Sequence, residues 1–157
     1  MARFMRKGKM RVFFAISIAD IQNPTAAEVI AGDELTSQIG EMNGFTFKNS
    51  PIQTPDMDTK FVSQVPGEDS TDDSSLVFYE LDGANTIKDA LEKDTDGFII
   101  IFPQGTATST PAVADLCEVW PVTISSNSRR YSSGNEAGMY EVAFACTLEP
   151  AVDVLVD

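Results

Sequence analysis

Apolar and polar residues alternate from the tenth position onward. Met10, Val12, Phe14, Ile16 and Ile18 fall on one side, and Arg11, Phe13, Ala15, Ser17 and Ala19 on the other. A period of two, rich in β-branched and aromatic residues, predicts a strand over 10–19. In "NPTAAEVIAGDEL" the pattern changes: Thr25 and Glu28 have capping-box spacing and Gly32 stands where a helix stops, so a short helix follows. Residues 35–39 read as a further strand. "SLVFYEL" and "GFIIIF" are apolar on both faces, which predicts strands covered on both sides. In "NTIKDALEKDTDG" Thr86 as cap, Asp89 at the third position, a stripe of Ile87, Ala90 and Leu91, and Gly97 beyond the end predict a second helix. "EVWPVTI" and "MYEVAFACTL" are strands joined by the hydrophilic "SSNSRRYSSGNEAG", a hairpin connection. Along the second of them Tyr140, Val142, Phe144, Cys146 and Leu148 share one face, and Met139, Glu141, Ala143, Ala145 and Thr147 the other. "PAVDVLVD" closes the chain in extended form.

Residues 40–66 break this regularity. Phe45 and Phe47 alternate, as do Phe61 and Val65, so two strand-like pieces flank a polar middle that contains proline. So long an excursion in a compact domain is functional or mobile. The whole pattern gives six to eight strands, two short helices and no repeat, hence a mainly β domain of sandwich or barrel-like form. A length of 157 residues with 43% hydrophobic suits a single core. The expected division is a basic arm over 1–9 and one β domain over 10–157.

Charge sharpens that division. The formal net charge is −13, yet Arg3, Arg6, Lys7, Lys9 and Arg11 are five of the 11 basic residues and no acid lies among them. The acidic remainder repels nucleic-acid phosphates and offers such an arm a landing place on a neighbouring copy. No apolar run approaches the roughly 20 residues of a membrane-spanning helix.

Candidate chemistry is sparse. Histidine is absent, which removes Ser-His and Cys-His nucleophile pairs, histidine bases and histidine metal ligands. Cys117 and Cys146 are an even pair, open to one disulfide or to two ordinary buried residues, and no C-x-x-C spacing occurs. "DSTDDSSLVFYE" puts Asp69, Thr71, Asp73 and Glu80 in a calcium-loop register. Ser74, however, replaces the required glycine, and the flank is strand-like, so a solvated acidic turn fits better. Asp56 and Asp58 in "DMDTK" have no hydrophobic strand to present them and read as loop charges. Dinucleotide, P-loop and nucleophile-elbow motifs are missing, so the reading is not an enzyme and has no cofactor.

The N-terminus admits an alternative. A basic start, an apolar stretch from Val12 to Ala19 and the Ser17-x-Ala19 ending also fit a cleaved secretory signal, which would make this an exported β-sandwich binding domain. A signal core needs no alternation, so the arm-plus-strand reading is preferred.

In their order and spacing, "NPTAAEVIAGDELT", "TPDMDTKFVSQVPGEDSTDDSSLVFYE", "DALEKDTDGFIIIFPQG", "VWPVTI" and "YEVAFACTLEPAVDVLV" resemble the major tail tube proteins of long-tailed, siphovirus-type bacteriophages, particularly those of actinobacterial hosts. The resemblance implies two packed antiparallel sheets with one or two short helices. It implies a structural virion protein, assembled in the host cytoplasm without a membrane, whose hexameric rings stack into a channel for the genome. Its implied partners are further copies of itself, the tape-measure, tail-terminator and tail-tip proteins, and passing DNA that is not specifically bound. On this analogy 40–66 is a stacking loop, with Phe45, Phe47, Asp56, Asp58, Lys60 and Phe61. Arg3, Arg6, Lys7, Lys9 and Arg11 form an arm that meets Asp69, Asp72 and Asp73 of a neighbour. Glu141, Ala143, Ala145 and Thr147 are the candidates for the lumen wall.

Overall fold

A computed structural model describes residues 1–157. The elements run β1 (Arg11–Ala15), α1 (Ala26–Ile30), β2 (Asp33–Glu34), β3 (Ile39–Asn43), β4 (Phe47–Thr54), β5 (Ser63–Thr71), β6 (Ser74–Tyr79), α2 (Thr86–Ala90), β7 (Asp96–Phe102), β8 (Leu116–Arg130), β9 (Met139–Cys146) and β10 (Ala151–Leu155). The molecule is thus mainly β with two short helices. It has two antiparallel sheets, of unequal size. Seven strands of the larger follow the order β2-β1-β7-β8-β9-β6-β3, and β10 joins it beside β8; β4 and β5 make the smaller.

Period-two patterning decides what each face buries. Val12 and Phe14 of β1, Ile99 and Ile101 of β7, Trp120, Val122 and Ile124 of β8, Tyr140, Val142 and Phe144 of β9, and Leu76 and Phe78 of β6 form one cluster with Ile87 and Leu91 of the α2 region. No second sheet lies over that face. The face is buried by side chains from across the large sheet packing on one another, with Ile87 and Leu91 of the α2 region, Leu35 and the partly buried Met42 and Phe45 completing the cluster. The opposite face is covered at one end only. There Phe13, Ala15, Ile100, Phe102, Cys117 and Val119 pack under Val29 of α1 and under Ala151 and Val156 of the C-terminal segment.

β8 is long because, opposite β7, it serves two further partners in succession. Its start pairs with β10 and its later part with β9, the register shifting between Ile124 and Ser126. Beyond that shift Asn127 holds α2: its amide donates to the Leu91 carbonyl at 2.6 Å and the Lys88 carbonyl at 3.1 Å, satisfying groups that a helix end leaves open. The first helix is as expected. Thr25 caps α1 by accepting from the Glu28 N–H at 3.3 Å, and Glu28 also accepts from the Ala19 N–H at 2.7 Å.

Several element boundaries differ from the sequence expectation, the largest being β8, which runs on to Arg130 through the first part of the stretch read as a hairpin connection. The first strand ends at Ala15; Ile16 turns out to solvent, and Ile18 returns to the second cluster rather than to the side of Val12. Residues 36–38 form a short 3₁₀ turn, and the strand predicted over 35–39 begins only at Ile39. Asn85 rather than Thr86 precedes the first turn of α2, and Gly97 is a β7 residue. A Cβ on Gly97 would lie 2.4 Å from the Phe14 ring, so the glycine answers to packing and not to a helix end.

β1 bears on the signal-peptide alternative. It lies between β2 and β7, with Val12, Phe13, Phe14 and Ala15 all buried. Cleavage after Ala19 would strip a strand from inside the sheet. The cysteines are free, Cys117 in the second cluster and Cys146 against the first, on opposite faces of the sheet.

Candidate assembly surfaces

The excursion in the middle of the chain is a β-ribbon. β3 pairs with β6 up to Asn43 and Ser75, and β4 pairs with β5 from Phe47 and Thr71 to Thr54 and Ser63. The two pairs are one long hairpin bent at its middle. Gly44 and Phe45 make the bend with left-handed backbone, φ 80° and 59°. A Cβ on Gly44 would lie 2.3 Å from the Asp73 carbonyl oxygen. For Phe45, an ordinary residue in a conformation that favours glycine, the cost is offset by its contacts. Its ring meets Trp120 edge-on at 5.5 Å and Phe144 at 6.2 Å, and its N–H donates to the buried Ser74 hydroxyl at 3.1 Å. Phe47 leans on Trp120 at 5.6 Å. Lys48 pairs with Asp72, which also accepts from the Thr46 hydroxyl at 2.6 Å; these two donors hold the Asp72 carboxyl below its usual range.

Beyond that base the ribbon buries nothing. Ile52 and Val65, opposite one another, are exposed, as are Met57, Phe61 and Val62 around the tip. Asp56 organises the tip by accepting from the backbone N–H groups of Asp58 and Thr59, while Asp58 and Lys60 point to solvent. Of the six residues assigned to the excursion, Phe45 and Phe47 are therefore at its anchored base, and the other four are at its tip.

The N-terminal residues are exposed up to Lys9. A turn brings the N–H groups of Lys9 and Met10 to the Arg6 carbonyl, both at 2.9 Å, and Lys9 lies 5.1 Å over the Phe4 ring. Arg3, Arg6, Lys7 and Lys9 form no ion pair within the chain. Arg11 differs from them. It pairs with Glu34 at 2.7 Å and donates to the Thr106 hydroxyl at 2.8 Å and the Ser109 carbonyl at 2.6 Å. The structure thus places Arg11 in the body, as the first residue of β1. The acidic trio is also divided. Asp69 lies on β5 and accepts from Asn49 at 2.5 Å, Asp72 is occupied by Lys48, and Asp73 is exposed between β5 and β6.

The third surface is the uncovered part of the large sheet. Glu141, Ala143 and Ala145 of β9 face away from Tyr140, Val142 and Phe144, and Thr147 follows, exposed, just past the strand. Register sets Ser75 of β6 and Ser126 of β8 beside Ala143, with Ser128 beside Glu141 and Thr123 beside Ala145. Arg130 binds Glu141 at 2.6 Å. The result is a polar face of small side chains with no helix over it. The sequence offered no sign of the Arg130 pairing, because the bulge after Ile124 reverses which β8 residues look outward.

Among groups of histidine, cysteine and carboxylate side chains, none is arranged to hold a metal ion. No helix is long and apolar enough to cross a membrane.

A family model described as "Phage tail tube protein" matches residues 1–157. No curated protein matches by sequence. Among solved structures, a chain of the anti-feeding prophage baseplate is 9% identical with a TM-score of 0.59, covering 97% of this chain and 98% of that one. A chain of an extracellular contractile injection system's sheath-tube complex is 12% identical with a TM-score of 0.55, covering 89% and 85%. A chain of the virion of a native gene transfer agent is 11% identical with a TM-score of 0.53, covering 93% and 95%. At such identities the likeness concerns the fold alone.

Proposed function

The chain belongs to the phage tail tube protein family, structural components of the virion and not enzymes, and from that premise we propose that six copies close into a ring and that rings stack into the channel through which the genome leaves. The observation that carries this reading is the β4–β5 ribbon. It projects from the body, buries none of its apolar residues and exposes Ile52, Met57, Phe61, Val62 and Val65. A monomer gains nothing from such a ribbon; a stack of rings buries it. The two edges of the large sheet support ring closure. β2 and β3 end the strand order with backbone groups that have no partner in the chain, and such edges are covered when a neighbouring copy pairs with them. The N-terminal residues supply a second stacking contact. The bare face of β9 and its neighbours is the proposed lumen wall, and its small polar side chains, with Glu141 already paired to Arg130, offer phosphate nothing to grip. Tape-measure, terminator and tip proteins are the proposed partners at the tube's interior and ends.

Negative-stain electron microscopy of the concentrated protein, with sedimentation of the same sample, tests this directly. Rings or hollow tubes of uniform width are expected. Met57→Ser with Phe61→Ser should leave a folded chain that no longer stacks. Monomers persisting at all concentrations, and also when the tip complex is supplied, would overturn the reading.

A further inference from the structure

A groove of about 510 Å³ opens where the ribbon leaves the body, between the start of β4, the end of β5 and the segment that follows β9. Its apolar lining is Phe47, Leu148 and Pro150, with Cys146 beside them; Phe47 is 47% and Leu148 67% exposed. Asp69 and Glu149 stand at its rim, and neither makes an ion pair within the chain. A groove whose three apolar side chains sit among polar ones, with two carboxylates that lack a cationic partner, suits an occupant with an apolar side chain flanked by cations.

The chain carries that occupant. "ARFMRK" sets Phe4 and Met5 between Arg3 and Arg6, all four exposed, and the two guanidinium groups lack any carboxylate partner. We propose that the groove receives the Arg3–Arg6 segment of a second copy, with Phe4 seated between Phe47 and Leu148 and the arginines paired to Asp69 and Glu149. The proposal rests on the tube reading and gives its N-terminal contact an address. It also narrows the acidic partners. Asp72 drops out because Lys48 occupies it, and Glu149, which the sequence did not suggest, takes its place. Arg11 drops out as a donor because Glu34, Thr106 and Ser109 consume its guanidinium. Segment and groove complement one another in charge, while Arg3 and Arg6 on the one side and Asp69 and Glu149 on the other find no ion partner within their own chain.

A charge swap in the full chain tests the pairing. Arg3→Glu with Arg6→Glu should raise the concentration needed for tubes about tenfold, since two weak exposed ion pairs are lost and reversal adds repulsion. Asp69→Arg with Glu149→Arg should do the same. All four changes together should return assembly to within about twofold of the original chain. Circular dichroism on each variant separates misfolding from lost contact. In mixed tubes of heavy- and light-isotope chains, photoreactive p-benzoylphenylalanine at position 4 should crosslink between copies, to the ribbon base or to 146–150. A quadruple variant no better than either double, or crosslinks confined elsewhere, overturns the groove while leaving the tube reading intact. Failure of the unaltered chain to assemble at all overturns both.

Discussion

Cys117 shows how one buried side chain ties stability to pH. It packs in the second cluster beneath α1, and burial pushes its thiol up from 9.0 to about 12, with the Asp115 and Glu118 carboxylates adding to the shift. In the unfolded chain the thiol ionises above about pH 9, whereas the native state keeps its proton. The native state therefore binds more protons over that window. Its advantage is complete below pH 9 and is lost as pH rises toward 12, by up to about 1.4 kcal/mol per unit. Urea unfolding of the intact chain and of Cys117→Ala between pH 8 and 10 should give a variant that is weaker at pH 8 and has a flatter slope above pH 9. Parallel slopes would mean the native thiol ionises normally. Tyr140, also raised to about 12 by burial, titrates alike in both proteins and drops out of the comparison. At this scale the sequence was half legible. Parity along β8 and β9 told which residues share a face within a strand, but not that Cys117 and Cys146 look out from opposite sides of the sheet. That depends on pairing between strands distant in sequence.

Elements buried on at least one face were visible because burial imposes a period, and those that bury nothing were not. β1, β6, β7 and β9 all alternate or run apolar and were found within about four residues of their true ends, whereas β8 was found only over its apolar part, its polar extension to Arg130 having been read as hairpin connection. β4 and β5 have no inward face, so only the short alternations at Phe45/Phe47 and Phe61/Val65 hinted at them, and 40–66 read as a long loop with two strand-like pieces although 47–71 is a ribbon with a short tip. The strand expected over 35–39 failed for a related reason. Leu35 is a single anchor in the first cluster, and the 3₁₀ turn after it needs only the Thr36 hydroxyl against Val12, which accepts from its N–H at 2.9 Å. The same logic separates two parts of the N-terminus that look alike in composition. Residues 1–9 touch little, while β1 contributes four buried side chains between β2 and β7. Deleting 1–9 should leave the fluorescence of the sole tryptophan, Trp120, and the melting temperature within about 2 °C of the intact chain. Deleting 1–19 should abolish the cooperative melt, because it opens both core clusters at once. Cooperative melting of the shorter chain would return the first 19 residues to the status of a dispensable leader.

At the scale of the whole molecule the question is which way the large sheet faces in an assembly. One face is closed over the first cluster, and α1 and the C-terminal segment cover one end of the other. What is left bare is the patch around β9, where Ala143, Ala145, Ser126 and Ser128 lie side by side. Large bare patches of a tube subunit must meet a neighbour, the bulk solvent or the lumen. A neighbour would be met with apolar anchors, and this patch has few; its most prominent charges, Glu141 and Arg130, already neutralise each other. A lumen that carries DNA asks instead for short side chains without unpaired cations, since each free Lys or Arg would hold a phosphate and slow passage. Ala145 marks the patch well, being exposed and free of hydrogen bonds through its side chain. In a Cys146→Ser background, Ala145→Cys labelled with a maleimide gold cluster should give tubes whose extra density lies inside the wall in cross-section. Density on the outer surface would turn the subunit around, leaving the covered end of the sheet, with α1, to face the channel. Substituting Ala143→Lys and Ala145→Lys then separates orientation from charge. If the patch lines the channel, those tails keep their length and release DNA more slowly; if it faces outward, release is unchanged and only the binding of DNA to the tube exterior increases.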